Sequence, residues 1–365
     1  MSLAQSGARG ARGRLATALH ALWALLLCAG CAGTPARASL DRPPAPTPTG
    51  TTVAAPTAAP PPTATALPPD PTATAPPTAT PTPAPPRVGL QVGHWRIEEH
   101  ADEMARLRLF SGAYYGGYDE WEVNMVIAEA ARERLEAAGV TVDLLPARVP
   151  VGYEADAFVS IHVDGVTGPA AATRRGWKVA TPFRASAASE GLAAAIAAVY
   201  PAVTGLPTDA EEASFNLRAY YAFAHYRYWH SVAPTTPAAI VELAFMTHPA
   251  DRELIFERPG LLAEGLADGI LAYLDAYHPL SAEARAPVGR GMLRPATEGT
   301  PLFARPSEQS AVLLTLGPET RLAPMEEREG WALAFTHGGE WELGWVRLAD
   351  VVETGEGLAP PHPRP

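Results

Sequence analysis

Cysteine is nearly missing from this chain: of 365 residues, only Cys28 and Cys31 carry a thiol. Both sit in an apolar N-terminal stretch. Everything after them can form neither a disulfide nor a thiolate metal site, so any metal there must be held by His, Asp or Glu. Positive charge is also scarce, with 28 Lys and Arg against 39 Asp and Glu and a net charge of −11. Nucleic acid rewards clustered cations, and none cluster outside the extreme N-terminus, so no nucleic acid is expected as a partner. An HExxH signature is absent too, which removes the simplest helical route to a metal site. Proline, by contrast, reaches 39 residues and crowds with Thr and Ala into positions 33–86.

The N-terminus reads as an export signal. Arg9, Arg12 and Arg14 form a positive segment, and Leu15 to Gly30 is a mostly apolar run. Cys28-Ala29-Gly30-Cys31 resembles a bacterial lipobox, in which Cys31 is lipidated and becomes the new N-terminus. The usual leucine three positions earlier is here Cys28. Ordinary cleavage after Ala38 and an uncleaved anchor fit the same residues. Residues 1–32 are therefore assigned to a signal peptide or lipoprotein signal. Residues 33–86 are assigned to a disordered Pro/Thr/Ala-rich linker, since Pro-Thr and Pro-Pro pairs favour an extended backbone and pack no core. At ~3.1 Å per residue its reach is on the order of 170 Å, enough to carry a domain away from a membrane tethered through Cys31. A stretch with no spatial role is the alternative.

The rest has the composition of ordinary folded protein, roughly 270 residues, a length that suits one medium domain and one small one. Val88–Val92 is expected to be a strand ending at Gly93-His94. Helical spacing over 122–139 points Val123, Ile127, Ala130, Leu135 and Ala138 inward. Further strands are expected over 141–146, 157–163 and 238–245, and helices over 187–205, 216–229 and 260–277. Strands alternating with helices imply a three-layer α/β domain with a mostly parallel sheet, at 87–280. After about Pro287 short alternating runs predict a small all-β module, at 288–355, with a disordered tail over 356–365.

Open α/β sheets place ligands at the carboxyl ends of their strands. His94 follows the first strand, His162 lies near the end of the third, and Glu122 opens the first helix. Glu242 stands inside the apolar run Ala239-Ile-Val-Glu-Leu-Ala-Phe245, where a carboxylate is costly unless paired, protonated or functional. Two imidazoles and one carboxylate suit Zn2+ and leave a position open for water. The plain alternative is that both histidines are satisfied at loop and strand ends while Glu242 pairs with an arginine.

Four segments carry a resemblance to a known family: Val88-Gly-Leu-Gln-Val-Gly-His94, Glu122-Val-Asn124, Phe158-Val-Ser-Ile-His162 and Val241-Glu242-Leu-Ala-Phe245. In this order they resemble the zinc amidases of N-acetylmuramoyl-L-alanine amidase family 3, over about residues 86–278. The resemblance implies a phosphorylase/hydrolase-like α/β fold. It also implies His94, Glu122 and His162 as the Zn2+ ligands and Glu242 as the catalytic glutamate. The implied substrate is peptidoglycan, cut between N-acetylmuramic acid and L-alanine, by a protein exported to the outer face of the cytoplasmic membrane or the cell wall/periplasm. The family usually has glycine after its first histidine; here Trp95 follows His94. The stretch Trp95–Trp121 is then expected to wall a substrate groove.

Leu302-Phe-Ala-Arg-Pro306, Leu316-Gly317, Gly330-Trp331 and Gly344-Trp345-Val346 resemble a bacterial SH3-like barrel, a module that often binds wall components. A structural appendage with both tryptophans in its core is the alternative. Asn124 and Asp164 are either ligand-orienting residues or helix-start and turn residues. The aromatics Tyr220, Tyr221, Phe223, Tyr226, Tyr228 and Trp229 either pack the core or line a groove. His225 and His230, five apart, cannot share one helix face. A catalytically inactive wall-binding lipoprotein and a zinc amidohydrolase acting on another amide are the competing functions. The sequence names no protein regulator.

Overall fold

The computed structural model of the protein describes residues 84–209, 213–337 and 342–361. The signal segment 1–32, Cys31 and the linker up to residue 83 lie outside these described residues.

A five-stranded sheet organises the first domain. Its strands are β1 (Arg87–Val92), β2 (Thr141–Leu145), β3 (Ala157–Asp164), β4 (Lys178–Ala180) and β5 (Ala238–Phe245), in the order β2-β1-β3-β5-β4. All neighbours run parallel except β4, which pairs antiparallel with β5 at the edge. The short β4 escaped the sequence pattern because three residues are too few to show alternation. Three long helices, α1 (Glu120–Ala137), α2 (Ala187–Thr204) and α3 (Pro259–Tyr277), complete the domain.

Side chains alternate across a strand, so the sheet has two distinct faces. One face carries Val88, Leu90, Val92, Val159, Ile161, Val163, Val241 and Leu243, packed against all three helices in one buried core. Gly269 of α3 lets that helix approach α2 closely, since a Cβ there would lie 2.8 Å from the Ile196 backbone. The other face carries Gln91 on β1, then Phe158, Ser160 and His162 on β3, and Ala238, Ile240 and Glu242 on β5. Phe158, Ala238 and Ile240 pack there against Ala222, Phe223 and Val232.

This second face differs from expectation. The segment 216–229 is not one helix: it folds as a single turn at Phe215–Arg218, a 3-10 turn at Tyr221–Phe223 and further turns. Bulky aromatics on several sides of the segment satisfy the sheet face and the neighbouring module at once, which a regular helix with one apolar stripe cannot do. The third layer of the expected sandwich is therefore mostly irregular chain.

The C-terminal region forms a second, entirely antiparallel sheet of β6 (Leu293–Pro295), β7 (Thr300–Phe303), β8 (Val312–Leu316), β9 (Arg321–Arg328), β10 (Trp331–His337), β11 (Leu343–Arg347) and β12 (Val351–Glu353). Their order is β8-β7-β11-β10-β9-β6-β12. Leu293, Leu302, Leu322, Ala332 and Val346 make its own core. Met292, Ala323, Met325 and Phe335 form a second cluster with Met104, Phe183, Tyr226 and Tyr228 of the first domain. Residues 356–361, assigned to the tail, are partly held: the Glu356 carbonyl accepts from Met292 N at 3.0 Å, and Leu358 packs on that second cluster.

Asp251 ties the end of β5 to the chain entering β4. It is fully buried and accepts the backbone N–H groups of Gly176 at 2.6 Å and Phe245 at 3.2 Å, with Arg175 Nε 3.3 Å away. Removing a buried acceptor strands its donors. Asp251→Ala is expected to lower unfolding stability by about 2–4 kcal/mol in urea titration, and a loss below about 0.5 kcal/mol contradicts this account.

Candidate metal centre

His94 leaves the end of β1, His162 stands on β3, and Glu120 is the first residue of α1. One potential ligand atom from each lies within 4.8 Å of the others. Glu120 Oε1 is 2.8 Å from His162 Nδ1, and Glu120 Oε2 is 3.5 Å from His94 Nε2. The two imidazoles meet edge to face at 5.0 Å between centroids. Two glycines make room for the cluster. A Cβ on Gly93 would fall 2.4 Å from the His162 ring, and one on Gly112, whose φ is +82°, would fall 2.3 Å from the Glu120 carboxylate. His94 itself adopts φ 62°, a left-handed conformation uncommon for a residue with a Cβ.

Glu122, expected as the third ligand, is not in this cluster. Asp119 caps α1, which makes Glu122 the third helical residue, and its Oε2 accepts the Asp119 N–H at 2.9 Å in a reciprocal capping box. The helix begins two residues earlier than its spacing suggested, and two residues turn a side chain by about 200° around the axis. The inward stripe is Glu120, Val123, Asn124, Ile127, Ala128, Ala131 and Leu135, so Glu120 points to the site and Glu122 away from it. Of the five positions expected to face inward, Ala130 is only partly buried and Ala138 is exposed. Glu120 lies three and four residues before Val123 and Asn124, the spacing of helical neighbours on one face, a signal that counts only once the helix start at Asp119 is fixed.

The surroundings hold each group in place. Glu120 is 4% exposed and accepts the Ala113 N–H at 2.7 Å and an Asn124 amide hydrogen at 3.2 Å. Asn124 also donates to the Gly93 carbonyl at 3.2 Å, so it orients the carboxylate besides standing near the helix start. His94 Nδ1 donates to the Phe110 carbonyl at 2.8 Å. The stretch between Trp95 and Trp121, expected as a groove wall, therefore supports two of the three groups directly. It is built from 3-10 turns and a two-residue hairpin, Tyr114–Tyr115 with Tyr118–Asp119. A cavity of about 360 Å³ opens beside His94 and Tyr220, lined also by His100, Arg106, Phe110 and Arg227.

Glu242 lies in register with His162 on one side and Lys178 on the other. Its Oε2 has no hydrogen-bond partner among the described residues. Burial pushes this carboxyl up to about 8; nearby His162 opposes the shift, and Asp164 and Glu120 add to it. Burial also raises the cost of charging Glu120, but the His162 hydrogen bond, the electrostatic attraction of the His162 and His94 rings and the Ala113 N–H outweigh it and hold Glu120 below its ordinary value. His162 is desolvated as well, yet Glu120 raises its proton affinity. For His94, desolvation wins and lowers it. Asp164 is engaged elsewhere, taking Lys178 Nζ at 2.5 Å and the Gly165 N–H at 2.7 Å. His225 and His230 stay apart from the centre; His230 Nδ1 pairs with Glu103 at 2.9 Å, and His225 Nδ1 faces the Phe223 carbonyl at 3.1 Å.

The donor set fits a divalent cation. A buried carboxylate sits between two imidazoles, with a second carboxylate on the adjacent strand carrying an unpartnered buried oxygen. Such a concentration of negative and neutral donors is costly without positive charge among them. Two nitrogens and one carboxylate oxygen leave a coordination position open.

A family model described as N-acetylmuramoyl-L-alanine amidase matches residues 88–272. No curated protein sequence matches the chain. Among solved structures the chain is similar to the N-acetylmuramoyl-L-alanine amidase from Clostridium difficile 630, at 20% identity and TM-score 0.38, over 53% of this chain and 99% of that one. It is similar to Ami1 from Mycobacterium smegmatis at 21% identity and TM-score 0.39, over 53% of this chain and 98% of that one. For AmiC2 of Nostoc punctiforme the values are 23% and 0.37, over 52% and 97%.

Glu120 and Glu122 of α1 separate experimentally. Glu120→Gln is expected to lower divalent-metal content roughly tenfold or more by elemental analysis. Glu122→Ala is expected to keep the parental metal while losing about 1 kcal/mol of stability with its capping-box hydrogen bond. The opposite pattern of metal contents contradicts the arrangement described above.

Proposed function

This chain belongs to the N-acetylmuramoyl-L-alanine amidase family, and from that premise we propose that it is a zinc-dependent hydrolase of the amide bond joining N-acetylmuramic acid to L-alanine in peptidoglycan. The observation that carries the reading is the cluster of His94, Glu120 and His162 beside the unpartnered carboxyl oxygen of Glu242. His94, Glu120 and His162 hold the ion in this proposal, with Glu120 in the role the sequence motif assigned to Glu122. When bound, zinc supplies Lewis acidity, which acidifies water and polarises the lactyl carbonyl.

The chain's own residues supply the proton traffic. Glu242, one strand from His162, takes a proton from the attacking water and returns it to the departing alanine nitrogen. Its raised proton affinity suits a group that must hold a proton between those two events. Asn124 and the Ala113 N–H keep Glu120 from turning away, so the ligand geometry does not have to reorganise during turnover.

The wider organisation follows the same proposal. The antiparallel C-terminal sheet is an SH3-like module that engages wall components, and the N-terminal segment exports the chain and tethers it through lipidated Cys31. Trp331 and Trp345 are partly buried, with Trp331 edge-on to Phe303 at 5.4 Å.

Glu242→Gln is expected to retain its metal and lose about 10²–10⁴-fold in turnover on purified walls. Mass spectrometry of the parental digest is expected to find new amino groups on alanine and intact lactyl groups on muramic acid. A Glu242→Gln protein that digests walls at the parental rate, or products cut at another amide, defeats the assignment.

A further inference from the structure

Each histidine of the metal centre has one ring nitrogen facing away from it, and the partners of those nitrogens decide which tautomer each ring carries. For His94 the assignment is immediate: the Phe110 carbonyl can only accept, so Nδ1 carries the hydrogen. For His162 the outer nitrogen is Nε2, 3.0 Å from the Tyr220 hydroxyl, which can donate or accept. The answer lies further out.

The Ala147 carbonyl is the fixed point, because it also can only accept. Gln91 Nε2 and the Tyr221 hydroxyl both lie 2.9 Å from it. This sets the Gln91 amide with its nitrogen toward Ala147 and its oxygen toward Ser160 and Tyr220. The second amide hydrogen of Gln91 reaches Tyr221 at 3.1 Å. Gln91 Oε1 then accepts from Ser160 Oγ at 2.7 Å and from Tyr220 at 3.1 Å. Tyr220 has a single hydrogen, and Gln91 Oε1 and the Tyr221 hydroxyl, whose own hydrogen goes to Ala147, both stand at 3.1 Å to take it. Toward His162 it presents a lone pair, so Nε2 must donate. If Tyr220 instead donated to His162, both oxygens 3.1 Å from it, Gln91 Oε1 and Tyr221 Oη, would face it with no hydrogen between, against one such pair when it donates to either of them.

We infer that the chain Ala147–Gln91–Tyr220 holds a hydrogen on His162 Nε2, so that once an ion displaces the hydrogen that Nδ1 gives Glu120 Oε1 at 2.8 Å, His162 offers that ion only Nδ1 while His94 offers only Nε2. Gln91, fully buried on β1, and Tyr220 are positioning residues for the ion. This inference rests on the metallohydrolase reading. It gives the aromatic segment 213–236 a function beyond covering the sheet: it carries the hydroxyl that sets a ligand's protonation.

The test uses the full chain, zinc-loaded and labelled with 15N-histidine. One-bond N–H coupling is expected on Nε2 of His162 and on Nδ1 of His94. A zinc-loaded protein whose His162 carries its hydrogen on Nδ1 overturns the inference and leaves the hydrolase reading intact. A parent that takes up no zinc defeats that reading, and the inference with it. Tyr220→Phe and Gln91→Leu are expected to weaken zinc 10–100-fold in chelator competition, as loss of a ligand's orienting partner does elsewhere. Ser160→Ala, which leaves the Gln91–Tyr220 contact in place, is expected to bind near the parental affinity. Folded Tyr220→Phe and Gln91→Leu proteins that bind zinc as tightly as the parent count against the proposal.

Discussion

A single buried carboxylate governs the first domain's working face. Glu120 has almost no contact with water, and a lone buried charge costs several kcal/mol. Its oxygens are therefore met by His162, Asn124, the Ala113 N–H and, more loosely, His94. Replacing such a cluster with apolar groups is often neutral or stabilising, so it adds little to the stability of the fold. Its value is chemical: it gathers the donors of the candidate metal site. The neighbouring backbone conforms to it, with glycines where a Cβ would strike the ring or the carboxylate and a left-handed turn at His94.

The sheet divides labour between its faces. Helices α1, α2 and α3 bury the face built from Val, Leu and Ile, and this burial supplies most of the driving force that holds the strands in register. The opposite face is released from that duty at positions Gln91, Ser160, His162 and Glu242. Because strand side chains repeat every two residues, all four fall on the same side once the strands are parallel and in register. Chemistry and packing thus share the same strands without competing for the same positions.

Covering a polar sheet face calls for polar partners within an apolar surface, and the aromatic segment provides both. Its tyrosines bring rings to the core and hydroxyls to the polar groups, as Tyr220 and Tyr221 do at Gln91. On its far side Tyr226 and Tyr228 share a buried cluster with Met325 and Phe335 of the C-terminal sheet. The segment that roofs the centre is thereby braced from the second sheet.

Much of this was written in the sequence. β-Branched and apolar runs marked β1, β3 and β5 nearly to the residue, and 3.6-residue spacing marked α1 to within two residues, because local periodicity reports directly on which side chains turn inward. His94, His162 and Glu242 were legible as polar residues at the ends of, or inside, apolar strands. The choice between Glu120 and Glu122 was not, although each stands near the start of one helix. It turned on where Asp119 caps that helix, and a shift of two residues sends a side chain to the opposite side of the axis. Gln91 and Ser160 were equally silent, since nothing local distinguishes a buried amide that orients a ligand from one that merely satisfies a carbonyl. Only the tertiary structure, by laying β1, β3 and the aromatic segment together, decided which groups share hydrogens, because hydrogen bonds depend on distances of about 3 Å that sequence separation does not encode.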